Sequence, residues 1–172
     1  MKKFISVTIL AFILIFTAAG NISADGTVAE ASATLLQDEV QNDYRSGILR
    51  SFFAKNNSPL EPYSEYFVKV ADENNLDWRL IPAITGVEST YGKYIPSNSY
   101  NAYGWANGKY TFASWENSLD IVAFSLRENY IEKGAITINQ IARIYAPPSS
   151  TWAFKVKYIM NKIDPLALEY SL

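Results

Sequence analysis

A mainly α-helical domain carrying one short irregular or β-hairpin lobe rich in aromatic side chains is the fold class this sequence predicts. Apolar residues return at every fourth position from Leu36 through Val40, Tyr44 and Ile48 to Phe52, the spacing of one helix face. Thr137-Ile-Asn-Gln140 has the pattern of a capping box, in which the first and fourth side chains satisfy free N–H groups at a helix start. Between Tyr91 and Trp115, by contrast, Gly, Pro, Asn and Ser interrupt any helical period, and eight of the 25 residues are aromatic.

Residues 1–24 read as a secretory signal peptide. Lys2 and Lys3 precede an apolar run from Phe4 to Phe16, and small residues follow as far as Ala24, where cleavage is expected. The run is short for a membrane span; an uncleaved anchor is the alternative. Its removal takes away two lysines and no acid, leaving a chain more negative than the −2 of the whole. Residues 25–35 form a flexible leader, and residues 36–172 form the domain.

The first helix is expected from Leu36 to Lys55, broken by Asn56-Asn57-Ser58-Pro59. A second runs from about Pro62 to Asn74 with Tyr66, Phe67, Val70 and Ala71 inward. Asp77 caps a third, from Trp78 to about Thr90. Pro82 lies past the first turn of that helix, so a kink or a later start is expected. Residues 92–113 form a long loop or short hairpin. Ser114 caps a fourth helix to about Tyr130, Thr137 a fifth to about Tyr145, and Ser150 or Thr151 a sixth to about Ile163. No internal repeat and no second domain is evident.

Composition narrows the function. Of 172 residues 49% are hydrophobic and only 19% charged, which argues against disorder and against nucleic-acid binding through bulk positive charge. The chain has no His and no Cys. Ser-His-Asp and Cys-His nucleophiles, His or Cys zinc sites, disulfides and lipoprotein-type anchoring are therefore excluded. Any catalysis rests on carboxylates, hydroxyls, tyrosines, lysines or an oxygen-liganded metal. The acidic stretch from Asp72 to Asp77 lacks the spacing and glycine of an EF-hand and reads as a polar helix end. Neither a metal nor a cofactor is expected.

One carboxylate stands out. Leu80, Ile81, Ile84, Val87 and Tyr91 form the inward stripe of the third helix, and Glu88 falls inside or at the edge of it. It also sits near the helix C-terminus, where the macrodipole disfavours negative charge. Both effects favour a protonated acid near neutrality, the property of a general acid. The bland reading is a solvated glutamate at a frayed helix end. The aromatics that follow, interleaved with Asn98, Ser99, Asn101 and Asn107, suit sugar rings with apolar C–H faces and hydroxyl edges; the bland reading is a core for a lobe with little helix.

The stretch from Asn75 through Glu88-Ser-Thr-Tyr-Gly92 resembles the catalytic-helix segment of lysozyme-like peptidoglycan-cleaving enzymes, both bacterial cell-wall glucosaminidases and soluble lytic transglycosylases. Asn101-Ala-Tyr-Gly104-Trp105 is similar to the Asn-x-x-Gly element of the glucosaminidase branch. Phe112-Ala-Ser-Trp115 resembles the start of that branch's next helix. Ile141-Ala-Arg-Ile-Tyr145, followed by Trp152 and Lys155-Val156, resembles its tyrosine and closing helix. The likeness covers about Phe67 to Ile163. It departs from the transglycosylase branch, whose Gly-Leu-x-Gln and Tyr-Asn-x-Gly elements are missing.

The resemblance implies that Glu88 is the general acid and Tyr145 an active-site tyrosine. It implies sugar contacts from Ser89, and it places Tyr91, Asn101, Tyr103, Gly104, Trp105 and Tyr110 along the substrate. The implied activity is cleavage of β-1,4 bonds between N-acetylglucosamine and N-acetylmuramic acid by a secreted, periplasmic or wall-associated monomer. A two-carboxylate hydrolase needs a second acid about 5–10 Å from the first. No Asp or Glu lies between Glu88 and Glu116, so Glu116 and Asp120 are the nearest candidates, and both read more readily as solvated. A single acid suffices if the substrate's N-acetyl group assists, as in the transglycosylases. The competing class is a non-catalytic peptidoglycan- or carbohydrate-binding module, which keeps the aromatic lobe and has no need of Glu88.

Overall fold

The computed structural model describes residues 43–165. The expected signal peptide, the leader and the first turns of the expected Leu36–Lys55 helix lie outside the described residues. Among the described residues there are six α-helices and no strand: α1 (Tyr44–Lys55), α2 (Ser64–Glu73), α3 (Leu80–Ser89), α4 (Trp115–Leu126), α5 (Ile138–Tyr145) and α6 (Trp152–Ile163). None is long and apolar enough to cross a membrane.

Helix α1 starts at Asp43, whose carboxylate accepts from the Arg45 N–H. The Arg45 guanidinium then reaches Asp72 on α2 at 2.7–2.8 Å, tying the start of one helix to the end of the next. The buried face of α1 is not the predicted one. Ser46, Leu49 and Phe53 are buried, whereas Ile48 and Phe52 are half-buried and Tyr44 is 68% exposed. Leu49 and Phe53 also stand four apart, one position along, so periodicity alone admits both faces. Contact with α2 selects between them: the Phe53 ring packs on Phe67 at 5.2 Å.

A 3₁₀ turn, Glu61–Tyr63, leads into α2, which buries Phe67, Val68, Val70 and Ala71. Tyr66 is half-buried, and its hydroxyl donates to Asp120 on α4. Helix α3 begins at Leu80, not at Trp78. Pro82 is therefore its third residue, inside the first turn, where no N–H has a helical acceptor. Asp77 organises the turn before it, accepting from the Arg79 N–H and the Arg79 guanidinium. That guanidinium is 2% exposed and also donates to the Asp164 carbonyl after α6. Asp77→Ala removes the carboxylate from a buried cation and is expected to cost about 2–3 kcal/mol, read by thermal denaturation.

From Leu80 to Thr85 every α3 side chain is buried. The helix is thus the centre of the domain, packed along α6. It ends where Thr90 (φ 53°) and Tyr91 (φ 60°) turn the chain into the lobe. The lobe, residues 91–114, takes the irregular of the two forms expected for it, a succession of turns without strand pairing.

Ser114 caps α4 by accepting from the Asn117 N–H. The α-helix stops at Leu126, short of the expected Tyr130, and a wider π turn continues it over Arg127–Ile131. An Arg127–Glu132 ion pair spans that turn. The capping box at the start of α5 is formed as read: the Thr137 hydroxyl accepts from the Gln140 N–H, and the Gln140 amide oxygen accepts from the Thr137 N–H. Thr151 occupies the N-cap position of α6, as one of the two expected residues, but its side chain makes no capping bond; the Trp152 N–H donates instead to the Ser149 hydroxyl.

Candidate active site

Glu88 occupies the last turn of α3, half-buried where the lobe crosses the helix end. Its two carboxylate oxygens have different neighbours. Oε1 accepts a 2.7 Å hydrogen bond from the indole N–H of Trp152, the first residue of α6. Oε2 lies against Gly104, so close that a Cβ built there would stand 2.7 Å from it. Gly104 has φ +72°, a conformation that favours glycine. A side chain here would strain the backbone and push the carboxylate aside; with glycine, the carboxylate meets bare backbone.

The electrostatics follow from that enclosure. Burial disfavours the charged form and raises the Glu88 carboxyl above the usual range, while the Trp152 N–H and the positive charge of Lys155 pull the other way. Burial wins. Trp152→Phe keeps an aromatic ring and removes the N–H that favours the carboxylate. The Glu88 pKa is expected to rise further, moving the basic limb of a pH–activity profile to higher pH; a pH–rate series on both proteins measures it.

Tyr145, at the end of α5, stacks on Trp152 with ring centres 5.0 Å apart. Its hydroxyl donates to the Tyr103 carbonyl at 2.6 Å, the peptide leading into Gly104. Burial, with the Glu88 charge nearby, holds the phenol well above its usual pKa. It therefore stays protonated with its proton committed to backbone. The geometry makes Tyr145 a positioning residue, fixing both the Trp152 ring and the backbone that touches Glu88.

Beside Gly104 a cleft of about 510 Å³ opens. Tyr103, Trp105, Asn107, Tyr110, Tyr130 and Tyr145 are among its walls, and none of its lining residues is charged. The π turn after α4 carries Tyr130 into this wall, 6.1 Å from Tyr145.

Gly104, Trp105, Tyr110 and Tyr145 line this cleft, and Glu88, which is not among its lining residues, adjoins it through Gly104; several other expected sugar contacts have other work. Ser89 is buried; its hydroxyl lies 3.0 Å from the Thr85 carbonyl and 2.9 Å from that of Ala102, and accepts from the Gly92 N–H. It clamps the lobe to the end of α3. Ser89→Ala leaves buried backbone groups without this partner, and a loss of about 1–3 kcal/mol is expected in denaturant unfolding.

Asn101 is likewise committed inside the lobe. Its amide donates to the Trp105 and Tyr110 carbonyls and its oxygen accepts from the Trp105 N–H, which shapes the loop around Gly104. Tyr103 is fully buried, its hydroxyl 3.0 Å from that of Ser118, and only the edge of the residue reaches the cleft.

Tyr91 lies elsewhere. Its ring packs on Phe52 at 5.3 Å and against Gly86, lining a different groove between α1 and α6. Because α3 ends at Ser89, Tyr91 is not part of the inward stripe expected to include it, and with φ +60° it lies in this other groove.

Glu116 and Asp120 sit toward α2. Asp120 accepts from Tyr66, and the charge of Glu116 acts on Tyr63 and Tyr66. Among the described residues, the groups acting on the Glu88 carboxyl are Trp152 and Lys155, and no second acid is among them. Among the described residues no cluster of three or more acidic, His or Cys side chains is grouped to hold a metal ion.

Trp152 and Tyr130 were not expected as site residues. An aromatic placed at the first position of a helix after Pro147-Pro148 is the hint the sequence carries for Trp152; for Tyr130 there is none, because the π turn that aims it has no local signature.

No protein-family model matches this sequence, and no curated protein matches it either.

Proposed function

We propose that this protein cleaves the glycan strand of bacterial peptidoglycan, with Glu88 as general acid, in a domain of the lysozyme-like type. One observation carries the reading. A carboxyl raised in pKa by burial is held by the Trp152 N–H against Gly104, a residue that lines an uncharged, aromatic and amide-bearing cleft. A protonated acid so held can deliver its proton to a glycosidic oxygen, and the tyrosine and tryptophan faces suit the C–H faces of sugar rings. The four sequence elements resembling the glucosaminidase branch contribute Glu88, Gly104, Trp115 and Tyr145, three of which meet at this spot.

A single-acid route fits the acid–base inventory. With no second carboxyl among the described residues acting on Glu88, the neighbouring N-acetyl group is the group this reading assigns to stabilise positive charge at the anomeric carbon. The same Glu88, now ionised, then takes a proton from water or from the sugar's own C6 hydroxyl. Water gives a reducing end; the hydroxyl gives a 1,6-anhydro ring. On this reading residues 1–24 export the protein, which acts as a monomer outside the cytoplasm.

The rival is a binding module that holds glycan without cutting it. Such a module gains nothing from a carboxyl whose ionisation is opposed by burial, and the positioning of Glu88 by Trp152 favours the enzyme. Mass spectrometry of purified peptidoglycan digested with the protein, beside Glu88→Gln, tests the choice. Released fragments from wild type alone support cleavage, and fragments lighter by one water identify the anhydro product. Binding without release by either protein sinks the enzyme.

A further inference from the structure

We infer that the groove between α1 and α6, on the far side of α3 from Glu88, is a second binding site for a glycan strand that carries carboxylates. The identity of the strand rests on the glycan-cleavage reading; the groove itself is separate from the acid.

Tyr91 lines this groove, and its ring lies against Gly86. Gly86 precedes Glu88 by two residues, so the two point about 200° apart around α3. The groove holds about 900 Å³, more than the cleft beside Gly104.

Its lining combines two chemistries. Tyr44, Ile48, Phe52 and Tyr91 supply apolar and aromatic surface. Among the described residues its charged groups are Lys55 and Lys162, and no acid joins them. The arginines of α1 are spent on α2: Arg45 pairs with Asp72 and Arg50 with Glu65, each at 2.7 Å. Among the described residues Lys55 has no hydrogen bond or ion pair of its own. A lysine in the last turn of a helix complements the macrodipole wherever it points. These two come from different helices and open onto one groove.

The aromatic surface continues past the groove. The Lys162 ammonium stands 4.6 Å over the Tyr158 ring, and Tyr158 stacks on Phe154 one turn back along α6. Both rings are more than half exposed, as is Tyr44. Single exposed aromatics are ordinary, whereas several joined to a groove mark an interaction surface. A concave site takes a chain rather than a bilayer face. Aromatic faces suit the C–H faces of sugar rings, and ammoniums suit carboxylates. A neutral sugar strand leaves the lysines unused, and an acidic peptide brings the charge without the flat rings. A carboxylate-bearing glycan presents both. Held at a second site, a strand that leaves the cleft stays at high effective concentration and returns to it.

Co-sedimentation of Glu88→Gln with insoluble peptidoglycan reads the groove without cleavage. Two further pairs of substitutions are added in turn: Lys55→Gln with Lys162→Gln, and Phe154→Ala with Tyr158→Ala. Each pair is expected to weaken retention about five- to tenfold, the scale of two exposed charge pairs or two aromatic contacts. The loss from the lysine pair should shrink in added salt. All four side chains are exposed, so melting temperatures should not move. Lys69→Gln, at an exposed lysine of α2, should leave retention unchanged. Soluble competitors then identify the ligand. Peptidoglycan glycan stripped of its peptides should compete best. Equal competition by poly-glutamate makes the groove a general polyanion surface, and equal competition by a chitin oligosaccharide removes the role of charge; either overturns the inference.

Kinetics separate this site from the cleavage reading. In the protein that retains Glu88, both pairs should raise KM for long strands by the same factor and leave kcat unchanged. Cleavage of a short oligosaccharide, which fills one site at a time, should not change. If wild type cuts nothing and retention still falls with both pairs, cleavage alone is refuted. Cleavage with retention indifferent to both pairs overturns the groove and leaves cleavage standing.

Discussion

Glu88→Gln is expected to lower glycan cleavage by about 10²–10⁴-fold, the usual worth of a positioned general acid, and to raise the melting temperature near neutral pH. The two effects have one cause. Burial opposes the charge on Glu88, so its folded-state pKa lies above that of the unfolded chain. Below both values the carboxyl is protonated in either state and costs nothing. As pH rises through the unfolded value, near 4.3 for a free glutamate, the unfolded chain releases its proton first and stability falls. The loss is complete once the folded value is passed.

Glutamine keeps the oxygen that accepts from Trp152 and removes the ionisation. Its stabilising effect should therefore grow from nothing at about pH 3 to a plateau above the folded pKa, as the linkage requires. Thermal melts of both proteins across that range read it. Equal melting temperatures at every pH would place Glu88 in water and remove the basis for its role as an acid.

Gly104→Ala is expected to lose about 100-fold in cleavage, the scale of an ångström-sized misplacement of a reacting group. A Cβ at this position would stand 2.7 Å from Glu88 Oε2 and 3.4 Å from its Cδ. The carboxylate must swing aside, which displaces the acid from the position in which it accepts from Trp152. The substitution also forces a residue with a Cβ to φ +72°, which costs about 1–2 kcal/mol. Gly134→Ala separates the two effects. Gly134 has φ +91° with nothing within 4 Å of its added carbon, so that variant carries the backbone cost without touching Glu88. It should lose stability and keep its rate. Similar activity losses in both variants would mean that contact with Glu88 is not what Gly104 provides.

The site's partners explain why its parts were unequally legible. Glu88 was visible because a carboxylate on an apolar stripe conflicts with the helix period, and such a conflict is a local property. The helix starts at Ser114 and Thr137 were visible for the same reason: a cap needs only residues within one turn. Ser89, Asn101 and Tyr145 were legible as residue types that can hydrogen-bond. Their partners, the Ala102, Trp105 and Tyr103 backbone groups, were not. A hydroxyl or amide satisfied by a distant carbonyl has the same sequence as one that faces a sugar.

The sequence by itself determined the helical class, the interrupting aromatic lobe, the helix starts at Ser114 and Thr137 and the singular position of Glu88, because each depends on the chemistry of neighbours along the chain. Only the tertiary structure decided which face of α1 is buried, that Tyr91 belongs to another groove, and that Trp152 holds the carboxylate from 64 residues away. Those outcomes depend on which of several locally equivalent surfaces meet. Local spacing leaves that choice open, and packing across the domain settles it by burying Leu49 and Phe53 rather than Tyr44 and Ile48.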